Sequence, residues 1–338
     1  MTSVAIVGAS GYVGGELLRL LFRHPKVEIT AVTSEQSAGK PVHALFPSLR
    51  GPDLLCESLD PQQVAARAEV VFLALPHTKS AGPAQAFLKA GRKVIDLSAD
   101  FRLKNATDYE TWYQAPHPCP DLLKTAVYGL PELHREAIRS ASLVASPGCY
   151  PTAALLSLAP LATHRLLGEH IVIDAKSGIS GAGRSPALPY HFPEANESMT
   201  AYKLGAHRHI PEIEQELGLT VTFTPHLVPM TRGILSTAYV RLTQARTSEQ
   251  LTELYRTFYK GEPFVRVLSP GQSPNPLHTR GANTCEVSAF ADPRTKTAIL
   301  MAALDNLVKG AAGQAVQALN LMQGWDETLG LQDSGLYP

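Results

Sequence analysis

The stretch Ser146-Pro147-Gly148-Cys149-Tyr150-Pro151-Thr152 concentrates the reactive possibilities of this chain. Leu143–Ser146 reads as a strand that Pro147-Gly148 breaks, and Pro151 suits the first turn of a helix running through Ala153–Leu161. Cys149 is then expected at a helix N-terminus, where the dipole favours thiolate and lowers the pKa below the free value of about 8.5. A thiolate there can attack a carbonyl, hold the acyl group as a thioester and later be expelled. A cysteine in an apolar chain is more often a small buried hydrophobe. That plainer reading suits Cys56, Cys119 and Cys285, whereas the turn around Cys149 would expose its sulfur.

A thioester chemistry needs a partner for proton movement. Gly205-Ala206-His207-Arg208-His209-Ile210-Pro211 precedes a helix expected over Glu212–Leu217. His207 is placed to protonate a forming aldehyde oxygen and to stabilise the thiolate as an imidazolium, with His209 as the alternative. Sequence barely separates the two, and any given histidine is more often structural. For anions, Asp96-Leu97-Ser98-Ala99-Asp100-Phe101-Arg102 ends a strand, the usual ligand edge of an open α/β sheet. There Arg102 could grip a phosphate or carboxylate. Ser177-Gly178-Ile179-Ser180-Gly181-Ala182-Gly183-Arg184 reads as a second glycine-rich anion cradle, although either arginine could make an ordinary salt bridge instead. Ser146, Gly181 and Arg208 complete the candidate substrate contacts.

Gly8-Ala9-Ser10-Gly11-Tyr12-Val13-Gly14 follows the first strand directly and opens the first helix. Glycines there permit a tight turn and let backbone N–H groups approach a pyrophosphate at a helix start. The spacing is G-x-x-G-x-x-G rather than the commoner G-x-G-x-x-G, so its position between strand and helix carries the reading, against a purely structural glycine turn. At the end of the second strand an acid would hold the ribose 2′-hydroxyl of NAD. Here the strand ends Val32-Thr33-Ser34, with hydroxyls that can donate to a 2′-phosphate and Lys40 close in sequence, which favours NADP. Glu35 and Gln36 complicate that preference.

The elements that must position these groups alternate through the first half. Val4–Val7, Val27–Thr33, Val70–Leu75, Lys93–Leu97 and Leu143–Ser146 read as strands, several as continuous apolar runs covered on both faces. Tyr12–Arg23 and Ser80–Ala90 read as helices between them, so the order predicts a parallel βαβ sheet. After Pro151, apolar stretches at Ile171–Ala175, Val221–Thr224, Ile234–Leu242 and Thr284–Ala291 follow one another with fewer helices, predicting an α+β domain with a mixed or antiparallel sheet. Ser248–Tyr259 and Asn306–Met322 read as amphipathic helices, the second returning to the first domain. The expected division is therefore 1–148 with 310–338 as the dinucleotide-binding domain and 149–309 as the catalytic and oligomerisation domain.

Composition bounds the partners. Across 338 residues, 30 Lys plus Arg balance 30 Asp plus Glu, so no global field invites nucleic acid or an anionic membrane. With 44% hydrophobic and 18% charged residues, a sizeable core is expected rather than disorder. No apolar run approaches the roughly 18 residues a membrane span needs. Met1–Val7 lacks the pattern of a secretion signal. The four cysteines form no Cys-x-x-Cys pair, which fits neither a disulfide framework nor a zinc site and suits a cytoplasmic location. No metal is expected.

Taken together these strings resemble the N-acetyl-gamma-glutamyl-phosphate reductase family of arginine biosynthesis. The match spans nearly the whole chain, through Gly8–Gly14, Ser37-Ala38-Gly39-Lys40, Ala74-Leu75-Pro76-His77, Asp96–Arg102, Ser146–Thr152, Ser177–Arg184, His207–Glu212 and Asn306–Gly310. The resemblance implies a Rossmann domain plus an α+β catalytic domain of the aspartate-semialdehyde dehydrogenase type, NADPH as hydride donor, a small acyl phosphate substrate, and a homodimer or homotetramer. It implies Cys149 as nucleophile and His207 as acid/base. Cofactor contacts would come from Gly8, Ser10, Gly11, Tyr12, Val13, Thr33, Ser34, Ser37, Leu75 and Pro76, with Ser177, Gly178 and Asn306 on the nicotinamide side. Family members often carry a basic residue just after the second strand, where this chain has Glu35-Gln36. Two alternatives share the catalytic parts: a reductase of carrier-protein-linked aminoadipyl phosphate in lysine biosynthesis, and aspartate-semialdehyde dehydrogenase, which the His207–Glu212 string disfavours. A retired active site on a nucleotide-binding scaffold is the rival from another class.

Overall fold

A computed structural model describes residues 1–337, and the chain divides into two compact units. The first comprises Met1–Pro147 with Ala311–Gln332, the second Gly148–Gly310 together with residues from Asp333 on. The tail joins the second unit because Leu336 N–H donates to the Arg280 carbonyl at 2.8 Å.

In the first unit, β1 (Thr2–Val7), β2 (Val27–Thr33), β3 (Val70–Leu73), β4 (Lys93–Asp96), β5 (Val127–Tyr128) and β6 (Leu143–Ala145) form one sheet in the order β2-β1-β3-β4-β6-β5. Every pairing is parallel. Parallel strands need crossover segments, and those cover both faces. Ala5, Val7, Val71, Leu73 and Val94 pack with Val64, Ala84 and Phe87 on one side. The alternate positions Val4, Ile6, Val70, Phe72 and Ile95 are equally buried, with helices Tyr12–Leu21, Pro131–Ser140 and Gly313–Met322 packed on one another. The loops after β1, β3, β4 and β6 therefore all emerge at the carboxyl edge, where the candidate residues of this unit lie.

The second unit carries seven strands: β7 (Leu167–Gly178), β8 (Thr200–Ala201), β9 (Val221–Val228), β10 (Ile234–Leu242), β11 (Val265–Val267), β12 (Cys285–Asp292) and β13 (Thr297–Leu304). Their order is β11-β12-β13-β10-β7-β9-β8. The sheet is mixed: β10 is antiparallel to both neighbours, whereas β7–β9 and β11–β12 are parallel. Helices Cys149–Thr163, Ile210–Leu217 and Ser248–Phe258 cover one face. The other face carries Val172, Leu235, Tyr239, Ile299, Met301 and Phe290 side by side in register, with Tyr239 41% and Phe290 44% exposed.

Several elements lie outside the sequence reading, β5, β8, β11 and β13 among them, and two differences bear on the site's surroundings. β13 has no counterpart in the sequence reading, and it lies inside the sheet between β10 and β12. The single helix expected over Asn306–Met322 is instead a turn, a π turn at Val308–Ala312 and a helix from Gly313. The helical segment opens on this wider turn because Gly310 N–H reaches back five residues to the Asp305 carbonyl. Among the described residues no helix is long and apolar enough to cross a membrane, and no cluster of three or more His, Cys, Asp or Glu side chains could hold a metal ion.

Candidate active site

Within the first unit the glycine loop is shaped by close approach. Gly8 has φ +88°, and a Cβ there would run into the Ala74 carbonyl; one on Gly14 would lie 2.6 Å from the Ala9 backbone. Gly8 and Ala9 N–H both donate to the Thr33 carbonyl, tying the loop to the end of β2. Gly11 sits immediately before the helix, so the helix start is not obstructed by a side chain. Ser34 Oγ donates to Ser10 Oγ at 2.8 Å, so hydroxyls from the two candidate segments meet. Thr33, Ser34 and Ser37 are buried, Val13 half-buried and Tyr12 exposed. Glu35 accepts the Leu59 N–H at 2.8 Å through its carboxylate. The strand end therefore presents Thr33 and Ser34, with that acid engaged elsewhere.

Leu75 and Pro76 lead the loop after β3. Asp100, fully buried, accepts N–H bonds from Thr78 (2.6 Å), Ser80 (2.8 Å) and Ala81 (3.1 Å). It holds this loop and the following helix start against the β4 loop. Asp96 beside it is pushed up to about 6 by burial and then by the Asp100 charge. Arg102 belongs to the same edge and is only 6% exposed. Its Nε donates to the Ser146 carbonyl at 2.8 Å and Nη2 to the Leu97 carbonyl at 3.0 Å. Arg102 is thus a largely buried cation that braces the backbone leading to the cysteine.

In the second unit Cys149 is the first residue of the Cys149–Thr163 helix, with Gly148 as cap and Pro151 in the first turn. The helix is buried along most of its length, so its start is rigidly held. Cys149 is half-buried, and Cys56, Cys119 and Cys285 are buried. Glu212, 1% exposed, accepts the Gly148 N–H at 2.8 Å. Sequence reasoning gave Glu212 no role; the available signal was an acid at the start of a helix right after the two histidines.

His207 is 8% exposed and boxed edge-on by Tyr150, Tyr202 and Phe223, with His209 4.7 Å away between ring centroids. Its Nδ1 accepts the His209 N–H at 3.2 Å, which leaves the proton on Nε2. Burial, then the Lys203 and Arg208 charges, pull its pKa down to about 4. The ring is neutral at pH 7. The Tyr202 phenol is pushed up to about 12, first by burial and further by the charge of Cys149, which also raises Tyr150 after burial and Tyr202. Cys149 and the aromatic box around His207 thus share one electrostatic neighbourhood. Tyr202 donates to Tyr150 Oη at 3.4 Å, and Tyr150 to the His226 carbonyl at 3.0 Å. Neither tyrosine was singled out from sequence.

Asn306 accepts Gly233 N–H through Oδ1 at 2.7 Å and donates from Nδ2 to Ser180 Oγ at 2.9 Å. It fastens the Ser177–Gly183 loop, in which a Cβ on Gly178 would strike the Met230–Arg232 backbone and one on Gly181 would lie 3.1 Å from Ser177 Oγ. Ser177 donates to the Gly178 carbonyl. Arg208 is half-buried beside His207 and Arg184 exposed.

Residues 3–141 match the family model described as the semialdehyde dehydrogenase NAD binding domain, and residues 149–306 the one described as its dimerisation domain. The chain is 53% identical to proteins of Geobacter metallireducens and Desulforudis audaxviator, and 51% identical to one of Moorella thermoacetica, each named N-acetyl-gamma-glutamyl-phosphate reductase. Each alignment covers 100% of both partners. In fold it resembles aspartate semialdehyde dehydrogenase II of Vibrio cholerae complexed with ASA (TM-score 0.74, 20% identity, 96% of this chain and 98% of that one). The Candida albicans aspartate semialdehyde dehydrogenase with NADP gives 0.73 at 16% identity over 96% and 98%.

Proposed function

The chain belongs to the N-acetyl-gamma-glutamyl-phosphate reductase family, and from that premise we propose that it reduces N-acetyl-gamma-glutamyl phosphate to N-acetylglutamate 5-semialdehyde and phosphate. The observation that carries this reading is Cys149, half-buried at the start of a buried helix whose cap is held by Glu212. A helix start favours the negative sulfur. The thiolate attacks the acyl carbon; the carbon–oxygen bond to phosphate breaks, and a thioester remains. Phosphate leaves as an anion and takes its proton from solvent. NADPH, when bound, supplies the hydride that reduces the thioester. The resulting tetrahedral oxyanion collapses by expelling the Cys149 thiolate, so no proton need be delivered to carbon or sulfur. His207, neutral with its proton on Nε2, acts as a hydrogen-bond donor to that oxyanion rather than as an imidazolium.

The glycine cradle of Gly8, Gly11 and their neighbours fits a dinucleotide phosphate, and Thr33, Ser34, Ser37 and Ser10 fit a ribose 2′-phosphate better than a 2′-hydroxyl. Glu35 accepts the Leu59 N–H, so one of its carboxylate oxygens already has a protein partner, which supports the NADP reading. Tyr12, Val13, Leu75 and Pro76 complete that side. Ser177, Gly178 and Asn306 would face the nicotinamide, and Ser146, Gly181 and Arg208 the substrate. Arg102 supports the cysteine turn through Ser146. The open sheet face of the second unit suits a second copy in a homodimer, two of which would make a homotetramer. Scattered free cysteines suit a cytoplasmic enzyme.

The test is phosphate-dependent oxidation of a panel of semialdehydes, followed with NADP⁺ and NAD⁺ in parallel. N-acetylglutamate semialdehyde with NADP⁺ should be the preferred pair. Preference for a carrier-linked aminoadipate semialdehyde would transfer the enzyme to lysine synthesis. Cys149→Ser should abolish turnover and leave NADPH binding intact; a near-normal rate would eliminate the thioester.

A further inference from the structure

We infer that Gly310 is a positioning residue whose bare α-carbon forms the seat against which Cys149 rests. The inference rests on the reading of Cys149 as nucleophile. A Cβ added to Gly310 would lie 2.8 Å from the Cys149 Cβ, 3.2 Å from Leu304 Cδ1 and 3.3 Å from the Asp305 carbonyl oxygen. The first of these is closer than real Cβ atoms come. Neither backbone-fixed neighbour can give way. Cys149 heads a helix buried on nearly every side, with its cap tied to Glu212. Asp305 is fully buried; its Oδ1 accepts Leu307 N–H at 2.8 Å, and its Oδ2 accepts Gly281 N–H at 2.7 Å and meets Arg232 at 3.4 Å.

Gly310 sits in the π turn Val308–Ala312, and its N–H closes the turn on the Asp305 carbonyl at 2.9 Å. Its φ is not in the left-handed region, so conformational freedom is not what calls for glycine. Glycine is also a poor helix former, a disadvantage that alanine would relieve. What remains is close approach. The wider π turn, a form found often at functional sites, presents this α-carbon to the cysteine from a segment that Asp305 and Asn306 pin on two sides. The turn is a backstop that fixes where the sulfur begins.

Gly310→Ala must therefore displace Cys149. A displacement approaching 1 Å at a nucleophile lowers the rate by about 10²-fold, and the expected variant shows that loss in kcat with KM for both substrates nearly unchanged. Iodoacetamide alkylation of Cys149 should change several-fold, a readout that a merely structural glycine would leave alone. Gly82→Ala, where a Cβ meets nothing within 4 Å, is the control expected to match the native rate. Native kcat and native alkylation in folded Gly310→Ala would overturn the inference. Should that variant melt early or fail to fold, Cys149→Gly supplies the second reading, because it removes the clashing Cβ. Gly310→Ala should then cost much less in Tm in the Cys149→Gly background than in the native one, and an equal cost in both would sink the proposal. This coupling needs no turnover, so its failure is distinguishable from failure of the thioester chemistry, which Cys149→Ser tests.

Discussion

His207 illustrates how one side chain's surroundings decide its chemistry. The aromatic box excludes water, and the nearby Lys203 and Arg208 oppose further positive charge, so the ring resists protonation until about pH 4 against 6.5 in the unfolded chain. Between those values the unfolded state binds a proton that the folded state does not. Stability from this group is therefore complete above about pH 6.5 and is lost as pH falls toward 4, by about 1.4 kcal/mol per unit crossed. A neutral donor also predicts kinetics. The native kcat should show no break near 6.5 from this ring, and His207→Phe, which keeps the packing and removes Nε2–H, should lower kcat by about 10²–10³. Stopped-flow rates across pH 5–8 check both. A protonation step near 6.5 that disappears in the variant would restore the imidazolium role.

At the scale of elements, the carboxyl edge of the parallel sheet is organised by Asp100. Three N–H groups of the β3 loop and the next helix start converge on its carboxylate, and each buried donor left without an acceptor costs about 1–3 kcal/mol. Asp100→Ala should therefore lower stability by about 3 kcal/mol or more, and loosen the loop carrying Leu75 and Pro76. Denaturant melts and NADPH titration measure the two effects; a variant that binds NADPH natively would separate that loop from the cofactor. Such long-range anchors are where sequence reading runs out. The β1–glycine loop–helix unit was legible because Val4–Val7 and Gly8–Gly14 are contiguous, and the helix after Cys149 because Gly148 and Pro151 mark its start within three residues. β13 was not, because Thr-Ala-Ile-Leu-Met-Ala-Ala-Leu is rich in helix formers and becomes a strand only between β10 and β12. The π turn depends on Asp305 and Asn306 bonding to Gly281, Gly233 and Ser180, far away in sequence. Arg102 was legible as a cation at a strand end, but its bond to the Ser146 carbonyl, 44 residues on, is not encoded locally.

The whole molecule presents one surface that a single copy leaves unfinished. On the second unit's sheet, helices cover one face; on the other, Tyr239 and Ile299 are direct cross-strand partners, as are Ile299 and Phe290, with Val172 opposite Tyr239 on β7. Half-exposed aromatic and β-branched side chains in register make a contiguous apolar strip, unusual on a surface that stays in water. The segment matched by the dimerisation-domain model contains all of them. In a two-fold dimer formed through this strip, the strip would meet itself, so one substitution would enter the interface twice. Tyr239→Asp with Phe290→Asp would place four carboxylates in an apolar contact, where each loses hydration without a partner. Sedimentation velocity should show the native protein as a dimer or tetramer and this double variant as a smaller species, with the second unit still folded because neither side chain belongs to its core. An unchanged mass would assign the assembly to another face and leave the strip to a different partner.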